Sequence, residues 1–353
     1  MSKMSKNNEI VAISLFSGCG GLDIASHMAE IPVISSLDFD QDCIETLKTN
    51  KLFQNSKIYH ADISNFSTEE YKKLLKIHNP KKFIVIGGPP CQPFSKAGYW
   101  IGNKSRKIEK DPRNMVDQYL RIISELSPSG LVFENVESML HPTNKKVVNK
   151  IIDTLQKNRY YVKLIRANSL DYGVPQKRKR IFIIGSKTKF KSHEPKKTHC
   201  EPELSKKIGL KPYESVKNHI EKFDNPKFYE DYEITSNGTY SEELMMVPPG
   251  KNYIYLAKEG KTNKFKAGKR FWNFLLKLHP ESPSWTIAAQ PGPWVGPFHW
   301  NSRRLRVPEI AAIQTFPEGY KFCGTRMSIQ KQIGNAVPPL MGKAMIEFLK
   351  ENL

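Results

Sequence analysis

Two short segments of this sequence place a reactive side chain directly after an apolar run. Cys91 ends the segment Gly87-Gly-Pro-Pro-Cys, which follows the apolar run 83–86. A thiolate in such a rigid turn is a candidate nucleophile, because the flanking glycines and prolines do not favour simple core packing. Glu134 follows the run 131–133, and its carboxyl group could act as an acid if burial raises its pKa. A structural hydrogen bond to a loop is the alternative for Glu134.

A basic run, Lys177 to Arg180, leads into the apolar segment 181–184. Side chains alternate along a strand, so Arg178 and Arg180 would share one face and the two lysines the other. The pattern predicts that both arginines point towards the candidate active site. A solvated strand edge is the alternative.

A glycine-rich turn follows the first predicted strand and contains Gly18, Gly20 and Gly21. Glycines there let the backbone approach a ligand and present free N–H groups. Asp38 comes 20 residues after Gly18, where an acid commonly binds ribose hydroxyls. The predicted ligand contains adenosine and little phosphate, because the pattern G-x-x-x-x-G-K-[ST] is absent. An ordinary turn is the alternative. Two further candidates are Phe39, for stacking on a purine, and Asp62, for accepting from an adenine amino group.

Composition limits the class of protein. The 353 residues carry a formal net charge of +20, which attracts polyanions such as nucleic acid, although a lysine-rich genome would give the same excess. The five cysteines are scattered without a C-x-x-C pair, so we expect neither a disulfide framework nor a metal site, and a reducing compartment. No apolar run is long enough to span a bilayer, and the polar N-terminus does not resemble a secretory signal.

The pattern of elements predicts an α/β fold, with a mostly parallel sheet covered by helices on both faces. Residues 187–270 lack clear periodicity and predict a second, irregular domain. Predicted strands are 10–16, 32–37, 57–60, 83–86, 130–133, 161–165 and 181–184; predicted helices are 18–29, 41–50, 68–78, 146–158, 308–315 and 341–349.

Together these segments resemble the motifs of the DNA (cytosine-5) methyltransferases, in the same order along the chain. The resemblance covers about 1–188 and 282–353, whereas 189–281 match no motif, as expected for a variable target-recognition segment. The matching segments are Phe16-Ser-Gly-Cys-Gly-Gly, Asp38-Phe39, Asp62-Ile63, Pro89-Pro-Cys-Gln, Glu134-Asn-Val, Gln176-x-Arg-x-Arg, Arg303-Arg-Leu with Glu309, and Gln332-Ile-Gly-Asn-Ala-Val.

The resemblance implies a Rossmann-like, S-adenosylmethionine-dependent catalytic domain at residues 1–188 plus 320–353. It implies a smaller target-recognition domain at 189–319. The cofactor would lie on the glycine turn, with its ribose on Asp38 and its adenine near Phe39. The implied cofactor-binding residues are Phe16, Ser17, Gly18, Gly20, Gly21, Leu22, Asp38, Phe39, Asp62, Ile63, Pro89, Asn335 and Val337.

The implied chemistry is methyl transfer to C5 of a cytosine flipped out of the duplex. Cys91 would attack C6, Glu134 would protonate N3, and Arg180 with Arg178 would anchor the base or its phosphate. The implied substrate contacts are Gln92, Ser95 and Gln176. The loop 96–113 would act as a lid. Arg303-Arg304 is expected to organise a domain, with a catalytic role as the alternative. The segment 285–300 is expected to pack the two domains, with a position flanking the DNA as the alternative.

The expected biological setting is a bacterial restriction–modification system, with double-stranded DNA as partner, a cytoplasmic location and a monomeric enzyme. A cognate restriction endonuclease that acts independently is left open as a further partner. The alternative function is methylation of tRNA by the related branch, although that branch's Cys-Phe-Thr signature is absent. A catalytically silent DNA-binding protein of the same fold is a third alternative.

Overall fold

The chain divides into two compact units in a computed structural model that describes residues 9–90, 115–236, 238–265 and 272–353. The first unit contains Met1–Asn168, Lys179–Lys197 and Val337–Leu353, and the second contains Ser169–Arg178 and Thr198–Ala336. The suggested functional domains differ from these units, since 169–178 and 320–336 group with the second unit and 189–197 with the first. The functional division therefore stays a prediction.

The first unit is built around a seven-stranded sheet in the order β3-β2-β1-β4-β5-β8-β6. Strands β3, β2, β1, β4 and β5 run parallel to one another, whereas β8 runs antiparallel to its neighbours β5 and β6. The predicted mostly parallel α/β fold is thus confirmed. The strands are β1 (Ile10–Leu15), β2 (Val33–Asp38), β3 (Lys57–His60), β4 (Lys82–Gly87), β5 (Gly130–Val136), β6 (Tyr161–Asn168) and β8 (Lys179–Ser186).

Helices cover both faces of this sheet, because alternate residues of the buried strands point to opposite sides. Val11, Ile13 and Leu15 of β1 share a core with Tyr119 and Ile151 from two helices. The other face meets the first and last helices of the unit. The helices of this unit are α1 (Gly21–Met28), α2 (Gln41–Thr49), α3 (Glu69–His78), α4 (Val116–Leu126), α5 (Lys145–Lys157) and α12 (Pro339–Lys350).

The second unit consists of short elements, as its aperiodic sequence predicts. One of its cores is an aromatic cluster in which Trp294 meets Tyr240 edge-on at 5.7 Å and packs near Phe298. Its strands are β7 (Gln176–Lys177), β9 (His199–Cys200), β10 (Lys211–Pro212) and β11 (Ser284–Trp285). Its helices are α6 (Pro202–Ile208), α7 (Lys217–Ile220), α8 (Ser241–Met246), α9 (Tyr253–Lys258), α10 (Val307–Ile313) and α11 (Arg326–Asn335).

Buried ion pairs frame the second unit. The Arg303 guanidinium donates to both carboxylate oxygens of Glu309, at 2.6 and 2.9 Å, and Glu309 is fully buried. Arg306 donates in the same way to Glu233, at 2.5 and 3.2 Å. This frame supports the structural role predicted for the Arg303 segment. None of the helices in the described ranges has the length and apolar character needed to cross a membrane.

Candidate active site

The glycine turn joins β1 to α1 through backbone conformations that favour glycine. Gly18 has φ +53°, and Gly20, which caps α1, has φ +84°. Phe16 also has a positive φ, of 54°, which is uncommon for a bulky residue. A Cβ added to Gly18 would meet no atom within 4 Å, so the space beside this turn is open. The turn can therefore receive a ligand close to its backbone.

Buried hydroxyl groups tie this turn to the end of β2. Leu37 N donates to the Ser17 hydroxyl at 3.1 Å. Ser14 and Ser36 donate to the two oxygens of Asp23, at 2.8 and 2.6 Å, and all three residues are fully buried. Burial raises the pKa of Asp23 to about 6, although the two hydroxyl donors oppose that rise. No sequence motif predicted a role for Asp23.

Asp38 ends β2 and braces the glycine turn directly. Its Oδ2 accepts from Gly18 N at 2.7 Å, and its Oδ1 accepts from Asp40 N at 2.9 Å. Asp38 is nine-tenths buried, and this burial raises the pKa of its carboxyl group. No cation within the described ranges forms an ion pair with it. Each oxygen still has acceptor capacity for a ligand hydroxyl.

The residues after β2 and β3 differ in exposure. The Phe39 side chain is 65% exposed, so a face of its ring is open to stacking. The Asp62 carboxylate accepts from Ser64 N at 2.8 Å and begins a short 3₁₀ turn. Ile63 is buried, and its carbonyl accepts from Arg121 at 2.8 Å. These backbone contacts hold the two strand ends in place.

The glycines after β4 allow a close approach to β1 and β5. A Cβ on Gly87 would lie 2.7 Å from the Leu15 carbonyl oxygen, and one on Gly88 would lie 2.9 Å from Glu134 Oε2. Asn135 Nδ2 donates to the Pro89 carbonyl at 3.2 Å. The turn that leads to the predicted nucleophile therefore lies against the end of β5. The predicted residues Cys91, Gln92 and Ser95 and the loop 96–113 lie outside the described residues.

Glu134 and Arg180 form an ion pair inside the first unit. Arg180 Nε lies 2.9 Å from Glu134 Oε1, and the two side chains are only 15% and 10% exposed. The pair spans the antiparallel strands β5 and β8, where Arg180 lies opposite Val136. A guanidinium orients this carboxyl group and stabilises it when it is ionised. The sequence predicted both residues for the site.

Arg178 and Gln176 belong to the second unit, whereas Glu134 and Arg180 belong to the first. The fully buried Arg178 guanidinium donates to the carbonyls of Gly334, at 2.8 Å, and Ile287, at 3.5 Å. Gln176, also fully buried, donates to Gln314 at 2.8 Å and accepts from Ile287 N at 3.1 Å. These contacts favour a positioning role for both residues. The predicted alternation is correct for burial, since Lys177 and Lys179 are exposed, but the two arginines have different surroundings.

The two predicted residues near the C-terminus also belong to different units. Asn335 is the exposed last residue of α11 in the second unit, and the buried Val337 opens the final segment of the first. Gly334 packs tightly within the second unit, because a Cβ there would lie 2.5 Å from the Ala289 backbone. The predicted cofactor contacts of Asn335 and Val337 stay predictions.

Comparisons with known proteins agree with the sequence motifs. The model of the family described as C-5 cytosine-specific DNA methylase matches residues 10–351. The Type II methyltransferase M.SacI of Streptomyces achromogenes is 36% identical over 98% of this chain and 94% of its own length. The Type II methyltransferase M1.HphI of Haemophilus parahaemolyticus is 30% identical over 96% and 87%.

Solved structures show the same fold at lower identity. The Entamoeba histolytica methyltransferase EhMeth aligns with a TM-score of 0.65 and 19% identity, covering 98% of this chain and 99% of its own. The Schizosaccharomyces pombe Dnmt2 methyltransferase aligns with a TM-score of 0.64 and 14% identity, over 96% and 98%. Since the family model spans nearly the whole chain and a relative more than 30% identical covers it, the chain belongs to the C-5 cytosine-specific DNA methylase family, whose members are DNA (cytosine-5) methyltransferases.

Proposed function

We propose that this enzyme methylates C5 of one cytosine within a specific duplex sequence, through a covalent bond between Cys91 and C6 of a flipped base. The observation that carries the proposal is the Glu134–Arg180 pair, which lies beside the Gly88–Pro89 turn leading to Cys91. A carboxyl group oriented by an arginine suits the recognition of a cytosine edge. Because a paired base is not accessible to these groups, the base must leave the stack.

The proposed reaction divides the chemistry among three residues. The Cys91 thiolate adds to C6, while Glu134 holds and protonates N3, so that C5 becomes an enamine-like nucleophile. Arg180 keeps the Glu134 carboxyl group oriented and anchors the base. After C5 has been methylated, the C5 proton passes to water, the Cys91 thiolate departs and the N3 proton returns to Glu134, which releases 5-methylcytosine.

The first unit's strand ends fit S-adenosylmethionine, which supplies the electrophilic methyl group when bound. The open space beside Gly18 admits a ligand to the turn, and the nine-tenths buried Asp38 offers acceptors for ribose hydroxyls. The exposed Phe39 offers a ring face to the adenine. We assign the cofactor to these residues. The remaining predicted contacts are Phe16, Ser17, Gly20, Gly21, Leu22, Asp62, Ile63, Pro89, Asn335 and Val337.

The proposed setting is a restriction–modification system, because the curated relatives are Type II methyltransferases. In this proposal, residues 189–319 recognise the target sequence, and residues 1–188 with 320–353 hold the cofactor and the base. The enzyme acts as a monomer, because a palindromic site can be methylated one strand at a time. A cognate endonuclease would act on the same site independently.

Bisulfite sequencing of DNA from a methylation-free host tests this proposal. The host expresses the wild-type chain, Cys91→Ala, or the matched control Cys323→Ala, whose thiol is half-buried in the second unit. We expect the wild type and Cys323→Ala to protect one short recurring motif. We expect Cys91→Ala to protect none.

Two results would contradict the proposal in different ways. Protection that survives Cys91→Ala would remove Cys91 as the nucleophile. If the folded, cofactor-bound wild type protects no DNA motif, the same assay on host tRNA decides for the tRNA alternative.

A further inference from the structure

A two-residue ladder in the second unit separates a buried face from an exposed one. Strand β7 pairs in parallel with β11, so that Gln176 lies opposite Ser284 and Lys177 lies opposite Trp285. Gln176 and Ser284 are fully buried, whereas Trp285 is 37% exposed and Lys177 is exposed. The alternation of a strand thus turns one cation and one indole ring outwards.

A second tryptophan extends the exposed face. The Trp272 ring lies 4.5 Å from the Trp285 ring, centroid to centroid, at an interplanar angle of 62°, and Trp272 is 45% exposed. The Lys177 ammonium lies 5.6 Å from the centroid of the Trp285 ring. We call these three side chains the tryptophan–lysine surface. Neighbouring exposed tryptophans are typical of binding surfaces, because indole is enriched at interfaces and contiguous apolar patches are small on ordinary surfaces.

Hydrogen bonds on both the buried and the exposed side fix the backbone under this surface. Gln176 accepts from Ile287 N at 3.1 Å and donates to Gln314 at 2.8 Å. The Thr286 hydroxyl donates to the Lys177 carbonyl at 2.7 Å, and the Asn252 amide donates to the Trp272 carbonyl at 2.7 Å. A surface fixed in this way loses little conformational entropy when it binds a partner.

The charge of the surface indicates an anionic partner. The exposed Lys177 forms no ion pair with any carboxylate in the described ranges. The whole chain carries a net charge of +20. The Lys177 ammonium group offers a phosphate a charged partner, and the indole rings beside it offer a sugar an apolar surface.

We propose that the tryptophan–lysine surface binds the sugar–phosphate backbone of the substrate DNA. The Lys177 ammonium pairs with a phosphate, and the two indole rings pack against the adjoining deoxyribose groups. Such contacts fix the position of the protein on the duplex and read no base. This inference rests on the proposed function, since it takes the substrate to be duplex DNA.

Salt-dependent DNA binding by the intact chain tests the lysine. Fluorescence anisotropy is measured for two unmethylated duplexes, one that contains the target motif found by bisulfite sequencing and one that lacks it. We expect Lys177→Gln to lower affinity for both duplexes by the same factor, and to reduce the slope of log K against log[salt] by about 0.9. The matched control is Lys206→Gln, which removes one exposed charge from α6 of the same unit. Equal slopes for the two variants would overturn the proposal.

Substitution of Trp285 tests the aromatic part. We expect Trp285→Ala to weaken binding of both duplexes, and Trp285→Phe to restore much of the loss because a ring remains. Circular dichroism and cofactor binding confirm that each variant is folded. A folded Trp285→Ala or Trp285→Phe chain that binds both duplexes as the wild type does, or that loses affinity for one duplex only, would overturn the proposal. Wild-type methylation is measured separately, so a failure here leaves the proposed function intact.

Discussion

Two pairs of buried acids, Asp23 with Asp38 in the first unit and Glu233 with Glu309 in the second, have different partners. In the first unit, Asp23 and Asp38 meet only neutral donors in the described structure, two hydroxyl groups in one case and two backbone N–H groups in the other. In the second unit, Glu233 and Glu309 each accept two hydrogen bonds from one arginine. Burial raises the pKa of Asp23 and of Asp38. The charges of Glu233 and Glu309 are balanced by the guanidinium groups of Arg306 and Arg303.

This difference separates a ligand site from a frame. A buried carboxylate without a cation is costly, so its persistence indicates a task that the rest of the fold supports. A carboxylate that accepts both bonds of a guanidinium has little left to offer a ligand, and it fixes loops to one another instead. This comparison supports the proposed cofactor-binding role of Asp38 and a structural role for Glu309.

The largest effect is expected from Glu309→Ala, which leaves the Arg303 guanidinium without its bidentate partner. Loss of one member of a buried pair costs about 3–5 kcal/mol of the free energy of unfolding. Urea denaturation followed by circular dichroism measures this loss. The matched control is Glu318→Ala, which breaks the exposed pair with Lys222 and should cost about 0–1 kcal/mol. Similar losses for the two variants would remove the distinction between frame and surface.

A smaller effect on binding is expected from Asp38→Ala. Loss of charged acceptors for ribose hydroxyls should raise the dissociation constant for S-adenosylmethionine by about 10–100-fold, from about 1.5–3 kcal/mol per charge-assisted bond. Isothermal titration calorimetry gives the value. Asp153→Ala, which removes an exposed carboxylate from α5, serves as the control. If both variants bind the cofactor alike, Asp38 only braces the glycine turn.

A gradual effect is expected in the pH dependence of stability. Burial raises the pKa of Asp23 from its ordinary value of 3.8 to about 6, so the folded state binds this proton more tightly than the unfolded state. Its contribution to stability is therefore complete below about pH 4 and is lost as pH rises through about 6. Asp23→Asn should flatten this part of the profile, by at most about 1.4 kcal/mol per pH unit. An unchanged slope in urea titrations from pH 4 to 7 would show that Asp23 titrates normally.

The sequence predicted where two candidate residues lie in the fold, whereas their roles stay predictions. Asp38 and Glu134 follow short apolar runs that predict strands, and the structure places them at the end of β2 and near the end of β5. Helix α4 was not predicted, although Val116, Tyr119 and Ile123 have helical spacing and face the core. The first unit was otherwise predicted to within a few residues at each element.

The sequence could not predict which residues the buried polar side chains would contact in the folded protein. Arg178 and Arg180 have the same residue type and the same phase along the chain, yet one binds the Gly334 carbonyl and the other Glu134. Alternation fixes which side a residue faces and does not fix what lies there. The cation-free cluster around Asp23 was missed for the same reason, because its two serines come from different strands.

The first unit is built from three separate segments of the chain, and this has a consequence for its synthesis. Helix α12, from the last segment of that unit, packs on α1 so closely that a Cβ on Gly342 would lie 2.8 Å from the Ala25 Cβ. Its Leu349 also covers Gly130 of the central sheet. A nascent chain emerging from the ribosome therefore exposes the apolar face of β5 and α1 until more than 300 later residues have followed α1. Because such distant contacts form slowly, the unfinished sheet should be the species that chaperones engage.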